Sequence, residues 1–149
     1  MHFKTFLKII LAALLISCGE PKPAPEKTAS DSVAQQGVSQ SFIDVSADSA
    51  FALIQKHASD SNFVVLDIRT PAEYEREHIP NAKMVNFRAD DFSQNLEMLD
   101  KQKTYVVHCA SGRRSAQAIK VMQELGFEKV YHMNRGMRQW QEKKLPLEK

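Results

Sequence analysis

At 149 residues the chain has room for one ordinary domain once a targeting segment is set aside. A hydrophobic content of 43% with 26% charged residues is that of a soluble globular protein, and it excludes a collagen-like, coiled-coil or wholly disordered chain. The formal charge of +2 includes Lys4 and Lys8, so the remainder is balanced and no nucleic-acid partner is expected.

Residues 1–17 read as a signal peptide, because Lys4 and Lys8 precede an apolar run, Ile9 to Ile16, that is too short to span a bilayer. Leu15-Ile16-Ser17-Cys18 resembles the lipobox of bacterial lipoproteins, in which cleavage before the cysteine leaves a lipid-modified first residue. Cys18 is therefore the expected lipidation site, and an ordinary secretory signal or an uncleaved anchor is the alternative. The expected location is the bacterial cell envelope, facing the periplasm or at the outer membrane, with the membrane engaged through the N-terminal lipid. Lipidation of Cys18 leaves Cys109 as the one thiol of an exported chain, without an intramolecular disulfide partner. Residues 18–40 then comprise the lipidated cysteine and a flexible linker. Glu20 to Gln40 is rich in Pro, Ala, Ser, Gln and Lys, holds Pro21, Pro23 and Pro25, and has no hydrophobic period. A coil of about twenty residues spans roughly 25 Å.

From Ser41 short apolar runs alternate with helical periodicity, so residues 41–149 are expected to form the domain. Phe42 to Val45 suits a first strand. Ser46 can cap a helix whose apolar face is Ala47, Ala50, Phe51, Ile54 and Ala58. Phe63-Val64-Val65-Leu66 is an uninterrupted apolar run, as in a strand covered on both faces. Thr70, Pro71 and Glu73 supply the cap, the first-position proline and the acid of a capping box. Lys83 to Phe87 suits a third strand, Phe92, Leu96 and Leu99 the inner face of a helix, and Thr104 to His108 a fourth strand. A helix starting near Ser115 follows, with Ala118, Ile119, Met122 and Leu125 at helical spacing and Gly126 at its end. Lys129 to His132 and Gly136 to Lys143 supply the last strand and helix. Strict alternation predicts an α/β fold, a mostly parallel five-stranded sheet flanked by helices on both faces.

Ligand chemistry in such sheets lies beyond the carboxyl ends of the strands. Cys109 stands there, after the strand Tyr105-Val106-Val107-His108 and before Ala110-Ser111-Gly112-Arg113-Arg114 and a helix. A strand, tight loop and helix in succession can converge backbone N–H groups on one point, and the helix start adds positive potential. Gly112 eases the backbone angles that this wrapping needs. A sulfur at the centre should favour the reactive thiolate, with Arg113 and Arg114 acting in the same direction.

Cys109 to Ser115 resembles the C-x-x-G-x-R-S loop of the rhodanese family. Asp67-Ile68-Arg69, Glu73-Tyr74 and His78-Ile79-Pro80-Asn81-Ala82 are similar to the family's D-x-R, E-[YF] and G-H-I-P-G-A elements, in the expected order. Met133-Asn134-Arg135-Gly136 with Trp140 is similar to its L-x-G-G-x-x-x-W, so the resemblance covers essentially all of Ser41 to Leu147. Glu77, Asn81 and Arg135 stand where those motifs have glycine, which bears on local loop shape rather than on the chemistry.

The resemblance implies double displacement, in which Cys109 takes a sulfane sulfur, becomes a persulfide and passes the sulfur to a nucleophilic acceptor. The backbone of Ala110, Ser111 and Gly112 would hold the terminal sulfur. Arg114, with Arg113 at the rim, would bind an anionic donor such as thiosulfate. The partners implied are thus a small anionic sulfur donor and a thiophilic acceptor, with no metal or organic cofactor and a monomeric chain. Asp67 and Arg69 suit a structural ion pair near the site, with Arg69 to Glu73 as the other pairing. His108 should point away from Cys109 and pack. His78 suits a turn, Trp140 the core, and His57 and His132 show no metal-ligand spacing. The rival enzyme is a cysteine phosphatase with loop H-C-x-x-x-x-x-R, whose arginine comes one place later than Arg114. The rival of another class is a protein-binding or persulfide-carrying module without catalysis.

Overall fold

Alternate residues of short strands sort apolar side chains to two sides of one sheet. In the structure, a computed structural model, residues 39–149 are described. The expected signal peptide, the lipidation site Cys18 and the linker through residue 38 lie outside the described residues. The elements are β1 (Ser41–Val45), α1 (Ala47–Lys56), β2 (Phe63–Asp67), α2 (Pro71–Arg76), β3 (Lys83–Met84), α3 (Phe92–Glu97), β4 (Thr104–His108), α4 (Arg113–Glu124), β5 (Lys129–Met133) and α5 (Gly136–Glu142). The strand order is β1-β5-β4-β2-β3, and all four pairings are parallel.

The expected fold class is the one observed. On one face Val64, Leu66, Tyr105, Val107 and Val130 pack with Phe92 and Leu96 of α3 and Ala118 and Met122 of α4. On the other, Val65, Val106 and Met133 pack with Ala47 and Ala50 of α1 and Met137 and Trp140 of α5. Because strand side chains alternate, Cys109 belongs to the α3–α4 face with Val107, while Val106 belongs to the opposite one. The helix ends follow local chemistry. The Ser46 hydroxyl accepts from the Ser49 amide at 3.2 Å, and the Glu73 carboxylate accepts from the Thr70 amide at 3.1 Å. Gly126, at φ +85°, closes α4 with bonds from the Phe127 amide to the Met122 carbonyl and from its own amide to the Gln123 carbonyl.

Several boundaries differ from expectation. β3 is two residues long rather than Lys83 to Phe87, since this edge pairs only with β2. Beyond Met84 the chain bends, with only the Val85 and Phe87 amides still reaching the carbonyls of Asp67 and Ile68. α1 stops at Lys56, which leaves Ala58 exposed rather than on an apolar face. α4 starts at Arg113 rather than near Ser115, because Gly112 at φ +90° turns the chain directly into the helix.

Candidate active site

The loop from Cys109 to Gly112 is held from outside by the start of α5. The Met137 and Arg138 amides donate to the carbonyls of Cys109 and Ala110 at 2.8 and 3.0 Å. With those carbonyls drawn outward, amides of the same loop turn inward, and the Gly112 amide donates to Cys109 Sγ at 3.2 Å. Two glycines make the approach possible. A Cβ on Gly112 would lie 1.7 Å from the Asn134 carbonyl oxygen, and one on Gly136 would lie 2.3 Å from the Cys109 carbonyl oxygen. Both also hold positive φ, +90° and +59°.

The three departures from the family's glycines are explained by the backbone. Asn81 is left-handed at φ 61°, which asparagine tolerates. Glu77 at φ −173° is extended, and Arg135 at φ −106° lies in the ordinary right-handed region, so neither position demands glycine.

Cys109 has 0% exposure, and burial by itself pushes its thiol up. Hydrogen bonds from the Ser115 hydroxyl and from the Ser115, Ser111 and Gly112 amides more than reverse this and hold the thiol below its usual value. The thiolate is accordingly the form this cradle favours. Beside the loop a shallow depression of about 320 Å³ is floored by Ala110 and Ser111 and rimmed by Arg69, Glu73, Arg76 and Arg138. A slightly larger cavity, about 370 Å³, lies against Val65, Ile79 and Trp140 on the other face of the sheet and includes no loop residue.

The predicted site residues are placed as follows. Arg114 sends both arms of its guanidinium to Glu73, at 2.8 and 2.8 Å, across 41 positions of sequence. That pair holds the Glu73 carboxyl down to about 2, chiefly through the Arg114 hydrogen bonds, and raises Arg114 in turn. Arg113 is exposed on the first turn of α4. Arg69 folds back on Asp67, with its Nε 2.9 and 2.8 Å from the two carboxylate oxygens, and also donates to the Glu77 carbonyl at 2.8 Å. Both are buried, at 3% and 0% exposure, so this pair braces the turn after β2.

His108 lies on the opposite face from Cys109, wholly buried, and burial holds its ring below the usual histidine value and therefore neutral. His78 stacks on Tyr74 with ring centroids 3.8 Å apart, and the Trp140 indole donates to the Pro146 carbonyl at 2.9 Å. Sequence reading missed four residues here. Glu73 was read as a capping acid and possible partner of Arg69 rather than of Arg114, Ser115 as the end of the loop motif and start of a helix without a contact to the sulfur, His132 for its lack of metal-ligand spacing, and Asp44 was given no role. A polar His132 at an inward position of an otherwise apolar strand was the available signal.

A family model for the Rhodanese-like domain matches residues 46–143. The Bacillus subtilis protein named "Putative sulfurtransferase YtwF" is 37% identical over 93 residues, covering 62% of this chain and 87% of its own length. Another from the same organism, "Putative sulfur carrier protein YrkF", is 36% identical over 89 residues, which span 60% of this chain but only 47% of that protein. Among solved structures, the crystal structure of a rhodanese-related protein from Thermoplasma volcanium superposes with a TM-score of 0.58 at 26% identity, covering 71% of this chain and 97% of that one. The motif order, the five-stranded parallel sheet and the cysteine cradle agree with these matches, and the chain belongs to the rhodanese-like domain family.

Proposed function

We propose that the protein is a sulfurtransferase that moves a sulfane sulfur from an anionic donor such as thiosulfate to a nucleophilic acceptor through a persulfide on Cys109. The observation that carries the proposal is the cradle itself. A buried sulfur receives amide and hydroxyl donors from Gly112, Ser111 and Ser115, which suits a thiolate before transfer and a charged terminal sulfur after it. The thiolate attacks the outer sulfur of the donor, the sulfur–sulfur bond of thiosulfate breaks, and sulfite leaves with its electron pair. A nucleophilic acceptor then takes the outer sulfur and Cys109 departs as thiolate. Donor charge is met by Arg114 beside the loop. Because Glu73 holds both guanidinium arms, donor binding exchanges one carboxylate contact for a donor oxygen. Arg113, with Arg76 and Arg138 on the rim, supplies steering charge.

The loop places its arginine five positions after the cysteine, one short of the phosphatase pattern, so the cradle is smaller than a tetrahedral phosphate requires. Membership alongside a sulfur carrier leaves persulfide delivery without turnover as the second reading. The export reading extends the proposal, with residues 1–17 removed and the domain held at the envelope membrane by acyl chains on Cys18. Intact-mass measurement after thiosulfate treatment decides between readings. Gain of one sulfur on Cys109, released by cyanide as thiocyanate and absent in Cys109→Ser, is the expected result. Release of one thiocyanate per chain without repeated turnover supports the carrier, and an unchanged mass rejects both.

A further inference from the structure

Cys109 shares its side of the sheet with a row of polar groups that sulfur transfer as written does not use. Ser115, on the first turn of α4, is fully buried, and His132, on β5, is 8% exposed. The parallel register sets Asp44 of β1 beside His132, and on the other side β4 offers only the apolar Val107. Asp44 Oδ1 lies 2.8 Å from His132 Nδ1, and His132 Nε2 lies 2.9 Å from Ser115 Oγ. Ser115 Oγ is in turn 3.6 Å from Cys109 Sγ and 3.0 Å from the Gly112 carbonyl oxygen.

A hydroxyl carries one proton, and here three acceptors surround it. Asp44 settles where that proton goes. A carboxylate can only accept, so the hydrogen shared with Asp44 sits on His132 Nδ1, and Nε2 is the ring nitrogen turned to Ser115 as acceptor. Nε2 makes the shortest of the three contacts and takes the Ser115 proton. An oxygen lone pair then faces Cys109, where a thiol S–H can donate to it.

We propose that Ser115, His132 and Asp44 form a proton relay that serves Cys109, with Ser115 as a catalytic residue and His132 and Asp44 as positioning residues. The Cys109 S–H bond breaks as its proton passes to Ser115 Oγ, while the original Ser115 proton passes to His132 Nε2. The products are a thiolate and an imidazolium braced by the Asp44 carboxylate. Now Nε2–H donates to Ser115 Oγ, and the hydroxyl is free to donate to the thiolate, so one protonation event reverses the direction of the whole chain. When the acceptor takes the outer sulfur and Cys109 leaves as thiolate, the same steps run backward. A further charged group near Cys109, Arg114, ends the loop and is turned toward Glu73 of α2. This inference rests on Cys109 being the nucleophile of the proposed transfer.

The test is a titration of the Cys109 thiolate by its ultraviolet absorbance in the full-length reduced protein, with the Cys109→Ser spectrum subtracted. Wild type should titrate in two steps, as strongly coupled groups do. His132→Gln should leave one step, moved to higher pH by about one unit or more, so that thiolate at a given pH below it falls about tenfold. Asp44→Asn should move the curve the same way by less. Ser115→Ala combined with His132→Gln should shift no further than the larger of the two single changes, because both break one path. A His132→Gln curve superimposable on wild type overturns the relay. Should His132→Gln fail to fold, the exposed Asp44→Asn decides, and an unshifted curve there overturns it equally. No sulfur donor enters this titration, so its outcome is separate from that of the thiosulfate experiment.

Discussion

Changing Glu73 to glutamine keeps the shape and the local hydrogen bonds of the capping acid but removes the charge that holds Arg114. The Glu73 carboxyl is depressed from 4.5 to about 2, first by its hydrogen bonds to Arg114 and then, against burial, by those from Thr70. At 1.36 kcal/mol per unit that gap corresponds to at most roughly 3.4 kcal/mol. The two side chains keep 24% and 17% of their surface, so water screens the pair and about 2 kcal/mol is expected. A carboxyl depressed in the folded state contributes stability that is present above its unfolded value and lost as pH falls through the folded one. The loss therefore runs from about 4.5 down to about 2. Urea unfolding of wild type and Glu73→Gln should differ by about 2 kcal/mol near pH 7, and by less than half of that near pH 3. The same variant should slow persulfide formation, because Arg114 then loses the brace that holds it beside the cradle. A difference in stability that is equal at both pH values would refute the assignment, since it would show that shape rather than charge is what Glu73 supplies.

Gly136→Ala places a methyl 2.3 Å from the Cys109 carbonyl oxygen at φ +59°, and should lower stability by roughly 2 to 3 kcal/mol and abolish sulfur transfer. Gly126→Ala, with nothing within 4 Å at φ +85°, should lower stability by only about 1 kcal/mol and leave transfer unchanged; both are read by urea unfolding and thiocyanate release. Arg114→Ala should reduce donor-dependent kcat/KM by roughly ten- to a hundredfold. Exposed Arg113→Ala should lose less, by a margin that shrinks as salt rises, and a larger Arg113 effect at every salt concentration would reverse the two roles. Cys18→Ala should block acylation, measured by mass of the membrane-fraction protein, whereas an unacylated, freely soluble wild type would favour ordinary secretion.

Much of the fold was legible because its causes are local. The apolar runs Phe63–Leu66 and Thr104–His108, the caps at Ser46 and Thr70 and the glycine after α4 each depend on a few adjacent residues, and each stands where the sequence placed it. The cradle was also legible, since Cys109, Gly112 and Arg114 belong to one six-residue stretch, Cys109 to Arg114. The short edge strand was not, because the length of β3 depends on how far β2 offers a partner.

What the sequence by itself determined was the cysteine loop and the elements that carry it. What only the tertiary structure decided was the company Cys109 keeps. Arg114 meets Glu73 across 41 positions, and His132 meets Asp44 across 88. Both meetings follow from the order β1-β5-β4-β2-β3, in which the last strand is inserted between the first and the central one. Parallel pairing there is set by burial of whole strand faces, so no local pattern around Asp44 or His132 specifies that the two share a register position. The cross-strand distance that turns a polar side chain in the core into a partner of Ser115 exists only once the sheet has closed around it.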